Sequence, residues 1–134
     1  MLRQDGRVQD RGDLIESWLR YNAYERHDQP DDEDPDGWAV EAVMTMVHDE
    51  PDEAWNLMID LSQGADTEWQ FVMIGAGVLD DLLRLDPDRY MTALEESARA
   101  NRKLVTAAAC TWLDDESVRP RIDALLRQYD QPRM

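Results

Sequence analysis

Hydrophobic residues recur along this chain with the three- and four-residue spacing of amphipathic helices. No stretch shows sustained alternation of apolar and polar residues with β-branched side chains, so strands are not predicted. The pattern predicts an all-α protein, with six to eight short helices in a compact bundle. The clearest stripe lies near the C-terminus and consists of Val118, Ile122, Leu125, Leu126 and Tyr129.

Residues that cap or begin helices divide the remaining stripes into separate elements. Gly75 and Gly77 interrupt one stripe, which predicts either two helices or one kinked helix. A nearly uncharged helix is predicted from Leu104 to Leu113. The residues suited to cap or begin a helix are Asp13, Asp36, Pro51, Asp66, Thr67, Asp86 and Pro87.

The length of 134 residues predicts one domain with a substantial core. We expect residues 1–12 to form a flexible N-terminal tail and residues 13–130 to form a single helical domain with an acidic loop at 28–37. Segments 38–62 and 69–98 each suit a helix pair, which is compatible with helical-repeat-like stacking.

Charge is the strongest functional clue in this sequence. The formal net charge is −16, and between Arg26 and Arg84 there are 16 carboxylates but no lysine or arginine. Such a segment repels nucleic acid and anionic membranes and attracts basic protein surfaces. Adaptation to salt is an alternative that predicts evenly spread acid, but the first 67 residues hold 18 acidic side chains and the last 67 hold 12.

A metal site is not predicted. Asp32, Asp34, Asp36 and Gly37 match the first half of a calcium-binding loop, yet loop position 12 is Val43 where calcium needs a carboxylate. The chain has only two histidines, and they do not lie at ligand spacing. We therefore predict neither a metal nor a cofactor.

No catalytic residues are predicted either. Cys110 lies in an apolar run without a nearby base and is expected to be buried. Adjacent carboxylates on a helix point in different directions, so they are expected on solvated faces and not in a catalytic cleft. We predict that the protein is not an enzyme, although a carboxylate-bound metal enzyme stays open as an alternative. The adjacent pairs are Asp80 with Asp81, Glu95 with Glu96, and Asp114 with Asp115.

Five tryptophans occur about once per predicted helix, and each is expected to anchor helix packing. Trp38 and Trp55 lie among the acidic residues, where an exposed tryptophan would be a natural hot spot for binding. The predicted partner-binding residues combine these two with the surrounding acids. They are Asp31, Asp32, Glu33, Asp34, Asp36, Trp38, Asp49, Glu50, Asp52, Glu53, Trp55, Asp66 and Glu68.

Four short motifs stand out, namely Trp38-Ala39, Ala54-Trp55, Ile59-Asp60-Leu61 and the run from Ala76 to Leu83. Together they resemble a family of small, all-helical, uncharacterised bacterial domains. The resemblance covers roughly residues 14–113 and implies no catalytic residues. In size and charge the chain also resembles immunity proteins that neutralise toxins and phage-encoded inhibitors of bacterial defence such as anti-CRISPR proteins.

We therefore expect a non-enzymatic acidic inhibitor that occludes the nucleic-acid site of a basic nuclease, toxin or CRISPR-type effector. It would bind neither nucleic acid nor membrane, and it would be a monomer or a homodimer. The alternative is a helical scaffold or adaptor of a bacterial complex, in which acid serves solubility. A single cysteine and the lack of an apolar signal core predict a cytoplasmic location.

Overall fold

The structure is a computed structural model and describes residues 11–24 and 35–133. These residues form seven helices and no strands, which confirms the predicted all-α class. None of these helices is both long and apolar enough to cross a membrane. The helices are α1 (Arg11–Tyr21), α2 (Gly37–Asp49), α3 (Pro51–Gly64), α4 (the consecutive segments Glu68–Met73, Ile74–Leu79 and Asp80–Leu85), α5 (Pro87–Ser97), α6 (Arg102–Ala108) and α7 (Arg119–Gln128).

The core is built around α3, which packs against α1, α2, α4 and α6. Its predicted stripe of Ala54, Leu57, Met58 and Leu61 is fully buried. In a helical-repeat stack each unit contacts only its neighbours. Here the helices gather around one central helix, and the acidic turns at both ends of α3 lie at the surface.

Helix α4 is continuous, which answers the question that the two glycines left open. Its middle segment, Ile74–Leu79, is π-helical. A Cβ atom on Gly75 would lie 2.0 Å from the carbonyl oxygen of Ala107, so glycine is required for the close approach of α4 to α6. Gly77 has open space around it, with nothing within 4 Å of an added Cβ atom.

Only some of the helix caps predicted from the sequence are confirmed by the structure. Thr67 and Gln70 form a reciprocal capping box at the start of α4. Asp36 precedes α2, but its side chain makes no capping hydrogen bond, so that predicted cap is wrong. Arg11 and Gly12 are helical, and Asp13 lies in the first turn of α1 and does not precede the helix as a cap. Residues 1–10 of the expected tail lie outside the described residues.

Helix α6 ends at Ala108, five residues before the predicted end. The Thr111 hydroxyl donates to the carbonyl oxygen of Ala108 at 2.7 Å. The backbone N–H groups of Trp112 and Leu113 donate to the carboxylate of Asp80. Because these donors bind a side chain of α4, they cannot continue the hydrogen-bond ladder of α6.

Candidate functional site

The turn between α2 and α3 brings four of the predicted binding residues together. Asp49 ends α2, Glu50 is the single connecting residue, and Asp52 and Glu53 lie in the first turn of α3. All four are exposed. Asp49, Glu50 and Glu53 form no ion pair with any residue that the structure describes. We call this group the α2–α3 acidic turn.

Asp52 differs from the other members of the turn because its charge is compensated. Arg89 Nη2 donates to its Oδ2 atom at 2.5 Å, and the Tyr90 hydroxyl donates to its Oδ1 atom at 2.9 Å. Burial and this hydrogen bond raise the pKa of Tyr90. Asp52 therefore connects α3 to α5, and the sequence did not reveal its arginine partner, which lies 37 residues away.

The two tryptophans predicted to anchor a partner are used mainly for packing. Trp55 is only 8% exposed, and its ring stacks on Tyr90 with the ring centroids 5.6 Å apart. Trp38 is half-buried against the core. The hot-spot prediction required an exposed tryptophan, and neither of these two indoles is freely exposed.

The remaining predicted acids lie elsewhere. Asp66 and Glu68 are exposed beyond the other end of α3. They are separated from the α2–α3 acidic turn by about 20 Å of helix at 1.5 Å per residue. The carboxylate of Asp36 accepts two hydrogen bonds from Arg20, at 3.1 and 2.9 Å. The other predicted residues, Asp31, Asp32, Glu33 and Asp34, lie outside the described residues.

Sequence reasoning missed a second acidic surface, in the connection from α6 to α7. Trp112 is 75% exposed, so the prediction that each tryptophan packs between helices is wrong for it. Asp114, Asp115 and Glu116 follow it and are exposed. The run of three consecutive acids two residues after the tryptophan was the available signal for a chain leaving its helix. We call residues 111–117 the Trp112 loop.

Asp80 anchors the Trp112 loop to α4 through hydrogen bonds. Its side chain is 0% exposed, and its two oxygens accept the N–H groups of Trp112 at 2.9 Å and Leu113 at 3.3 Å. Burial raises the pKa of Asp80, and the two backbone hydrogen bonds oppose that rise. The predicted solvated face is therefore wrong for Asp80, although its neighbour Asp81 is exposed and lies near Arg84.

Two arginines fix the carbonyl groups of the same loop. Arg119 Nη1 donates to the carbonyl oxygens of Leu113 at 3.1 Å and Thr111 at 3.4 Å. Arg133 Nη2 also donates to the carbonyl oxygen of Thr111, at 3.3 Å. These guanidinium groups therefore contact the backbone of the loop and not its carboxylates. Asp114, Asp115 and Glu116 form no ion pair with a basic side chain in the described part of the chain.

The described residues offer binding chemistry more readily than reactive groups. Cys110 is buried as predicted, and burial raises the pKa of its thiol to about 11. Within 11–24 and 35–133, no group of three or more histidine, cysteine and acidic side chains is arranged to hold a metal ion. The exposed carboxylates can accept paired hydrogen bonds from the guanidinium group of a partner arginine.

Comparisons with known proteins give a family and no activity. The chain matches no curated protein and no solved structure. A family model, described as a family of unknown function, matches residues 25–129, which include helices α2 to α7 and both acidic surfaces. The likeness to immunity and anti-CRISPR proteins stays a prediction. Since the model covers most of its length, the chain belongs to the DUF6869 family.

Proposed function

We propose that this protein is a non-enzymatic acidic inhibitor that binds a basic, nucleic-acid-handling protein. The observation that carries the proposal is the α2–α3 acidic turn. Asp49, Glu50 and Glu53 lie within five residues, are exposed, and have no cationic partner among the described residues. Their charges are therefore free to act on another molecule.

The mechanism follows from the chemistry of carboxylates. Arginines that bind nucleic-acid phosphates can also bind carboxylates, through two parallel hydrogen bonds. Glu50 alone separates two packed helices, so the acids of this turn project from a fixed hairpin. Carboxylates occupying the positions of phosphates would exclude nucleic acid from the partner's site. Opposite charges would speed association, and salt would weaken it.

A helical adaptor or scaffold is the second candidate. Exposed apolar side chains favour it, because Met44 and Leu85 are each more than half exposed on different helices. In this case the acid serves solubility, and binding through apolar contacts depends little on salt. The same experiment separates the two candidates.

The experiment compares three immobilised proteins in a nuclease-treated bacterial lysate. One is the wild type, and one carries Asp49→Asn, Glu50→Gln and Glu53→Gln. The matched control carries Glu16→Gln, Glu96→Gln and Asp130→Asn, which remove three exposed charges at other places. Captured proteins are identified by mass spectrometry after elution with a salt gradient.

We expect the wild type and the control to retain the same basic, nucleic-acid-handling proteins and to release them as salt rises. The turn variant should lose them, and the purified partner should bind nucleic acid less well when the wild type is added. Retention of the same proteins by the turn variant would contradict the proposal. Retention that does not change with salt would indicate binding through apolar contacts and would support the adaptor.

A further inference from the structure

Trp112 presents the most exposed tryptophan side chain in the described residues. It is 75% exposed, whereas Trp18 and Trp55 are buried and Trp38 and Trp69 are partly buried. A tryptophan side chain can bury about 150–250 Å² in a contact, and its ring face attracts cations more strongly than the other aromatic rings do. This side chain contributes little to the core, so its contact area is available to a partner.

The backbone on either side of this indole is held by a buried carboxylate and a partly buried guanidinium group. The fully buried carboxylate of Asp80 binds two consecutive N–H groups, and Arg119 binds the carbonyl groups on either side of Trp112. Residues 111–115 belong to no helix, yet polar groups of α4 and α7 hold them. A binding group already held in place loses little conformational entropy when a partner docks.

The charge next to the indole selects the partner. Asp114, Asp115 and Glu116 are exposed, and they lack an ion pair with any described residue. Asp115 accepts hydrogen bonds from the Ser117 N–H group at 2.8 Å and from its hydroxyl at 2.5 Å, which closes the turn. These carboxylates repel phosphates, anionic lipids and a second copy of this face, and they attract a cation.

We propose that the Trp112 loop binds an arginine-containing segment of a partner protein. The arginine guanidinium group stacks on the Trp112 indole, and neighbouring basic groups pair with Asp114 and Glu116. This inference does not depend on the proposed inhibitor function, because it uses a different surface and different residues. Arginine is favoured over lysine because its planar group both stacks on indole and binds carboxylates through two hydrogen bonds.

The test uses two synthetic peptides with four repeats of Arg-Gly or Lys-Gly, which carry equal charge. Binding to the full chain is followed by calorimetry and by the NMR signal of the Trp112 indole N–H, identified by its absence in Trp112→Ala. Tyr24→Ala is the matched control, since Tyr24 is an equally exposed aromatic residue at 76%. The backbone amide spectrum of each variant shows whether its fold is intact.

We expect the arginine peptide to bind about three- to tenfold more tightly than the lysine peptide, and to shift the Trp112 indole signal. Trp112→Ala should abolish this preference, while Tyr24→Ala and the triple variant of the α2–α3 acidic turn should retain it. Replacing Asp114, Asp115 and Glu116 by their amides should weaken both peptides. Equal binding of the two peptides by the wild type, or a preference that survives Trp112→Ala, would overturn the proposal.

Discussion

The α2–α3 acidic turn and the Trp112 loop both expose carboxylates, but they place their tryptophans in opposite ways. In the turn, the tryptophan is inside, because Trp55 packs on Tyr90, and the acids are exposed. In the loop, the tryptophan is outside, and one acid, Asp80, lies fully buried beneath it. A tryptophan among acids therefore does not by itself indicate whether its indole will be available to a partner.

The two regions also differ in what their polar contacts contribute to stability. The Asp52–Arg89 ion pair at the turn is more than half exposed at both ends. Exposed pairs of this kind stabilise proteins by only about 0–1 kcal/mol. The side chain of Asp80 is fully buried, and its removal leaves the N–H groups of Trp112 and Leu113 without their acceptor. We therefore expect larger effects from changes beneath the loop than from changes at the turn.

Gly75→Ala should have the largest effect on folding. The added Cβ atom would lie 2.0 Å from the Ala107 carbonyl oxygen and 2.8 Å from Cys110 Cβ, so α6 and the start of the Trp112 loop must move. We expect the free energy of unfolding to fall by about 3 kcal/mol, measured by urea denaturation. Gly77→Ala, in the same π-helical segment, should leave it unchanged or raise it by up to about 1 kcal/mol. Equal losses in the two variants would contradict the packing described.

The reactivity of Cys110, which directly precedes the Trp112 loop, tests whether a reagent can reach the core at this point. It is the only cysteine, and burial raises the pKa of its thiol from 9.0 to about 11. The reactive thiolate is therefore scarce at pH 8, and its fraction rises with pH to one half at about pH 11. At pH 8 we expect a thiol reagent to label the folded protein about 100-fold more slowly than the protein unfolded in urea. Free cysteine in the same urea concentration corrects for the solvent, and similar folded and unfolded rates would show that Cys110 is accessible.

Asp80→Ala tests the buried anchor of the loop. It removes the acceptor for the N–H groups of Trp112 and Leu113, so we expect a loss of about 2 kcal/mol in unfolding free energy. Hydrogen exchange at these two amides should accelerate at the same time. Asp81→Ala is the control, since Asp81 is exposed and should change stability by no more than about 0.5 kcal/mol. Unchanged exchange rates in Asp80→Ala would refute the anchoring role.

Asp52→Asn should have the smallest effect. It removes an exposed ion pair with Arg89, while the amide oxygen can still accept from Tyr90. We expect a loss of about 0.5 kcal/mol by urea denaturation. Asp49→Asn, which breaks no ion pair with a described residue, should be close to neutral. A loss in Asp52→Asn as large as that in Asp80→Ala would remove the distinction between the two regions.

The parts of the fold that depend on local spacing could be predicted from the sequence. The apolar stripe of α3 is buried, and Thr67 caps the start of α4 as its type and position indicated. Contacts between distant residues could not be predicted in this way. Asp80 binds N–H groups 32 and 33 residues further along, and no rule based on neighbouring residues reveals such a partner.

The same limit applies to the candidate site. Counting charges identified the α2–α3 acidic turn, because its acids are close together in the chain. It did not reveal that Asp36 and Asp52 are compensated, since Arg20 and Arg89 reach them through the packing of helices. The sequence pattern also did not reveal that Trp112 is exposed, because it predicted that α6 continues to Leu113, whereas α6 ends at Ala108.

Hydrogen exchange followed by NMR tests the contrast between the two regions most directly, because it reports the backbone and the indole of one tryptophan separately. The structure predicts that the Trp112 backbone N–H is protected by Asp80, while its indole N–H exchanges faster than that of Trp55. Rapid exchange at both Trp112 positions would mean that the loop is not anchored. Slow exchange at its indole would mean that this side chain is not available to a partner, and either result would contradict the account.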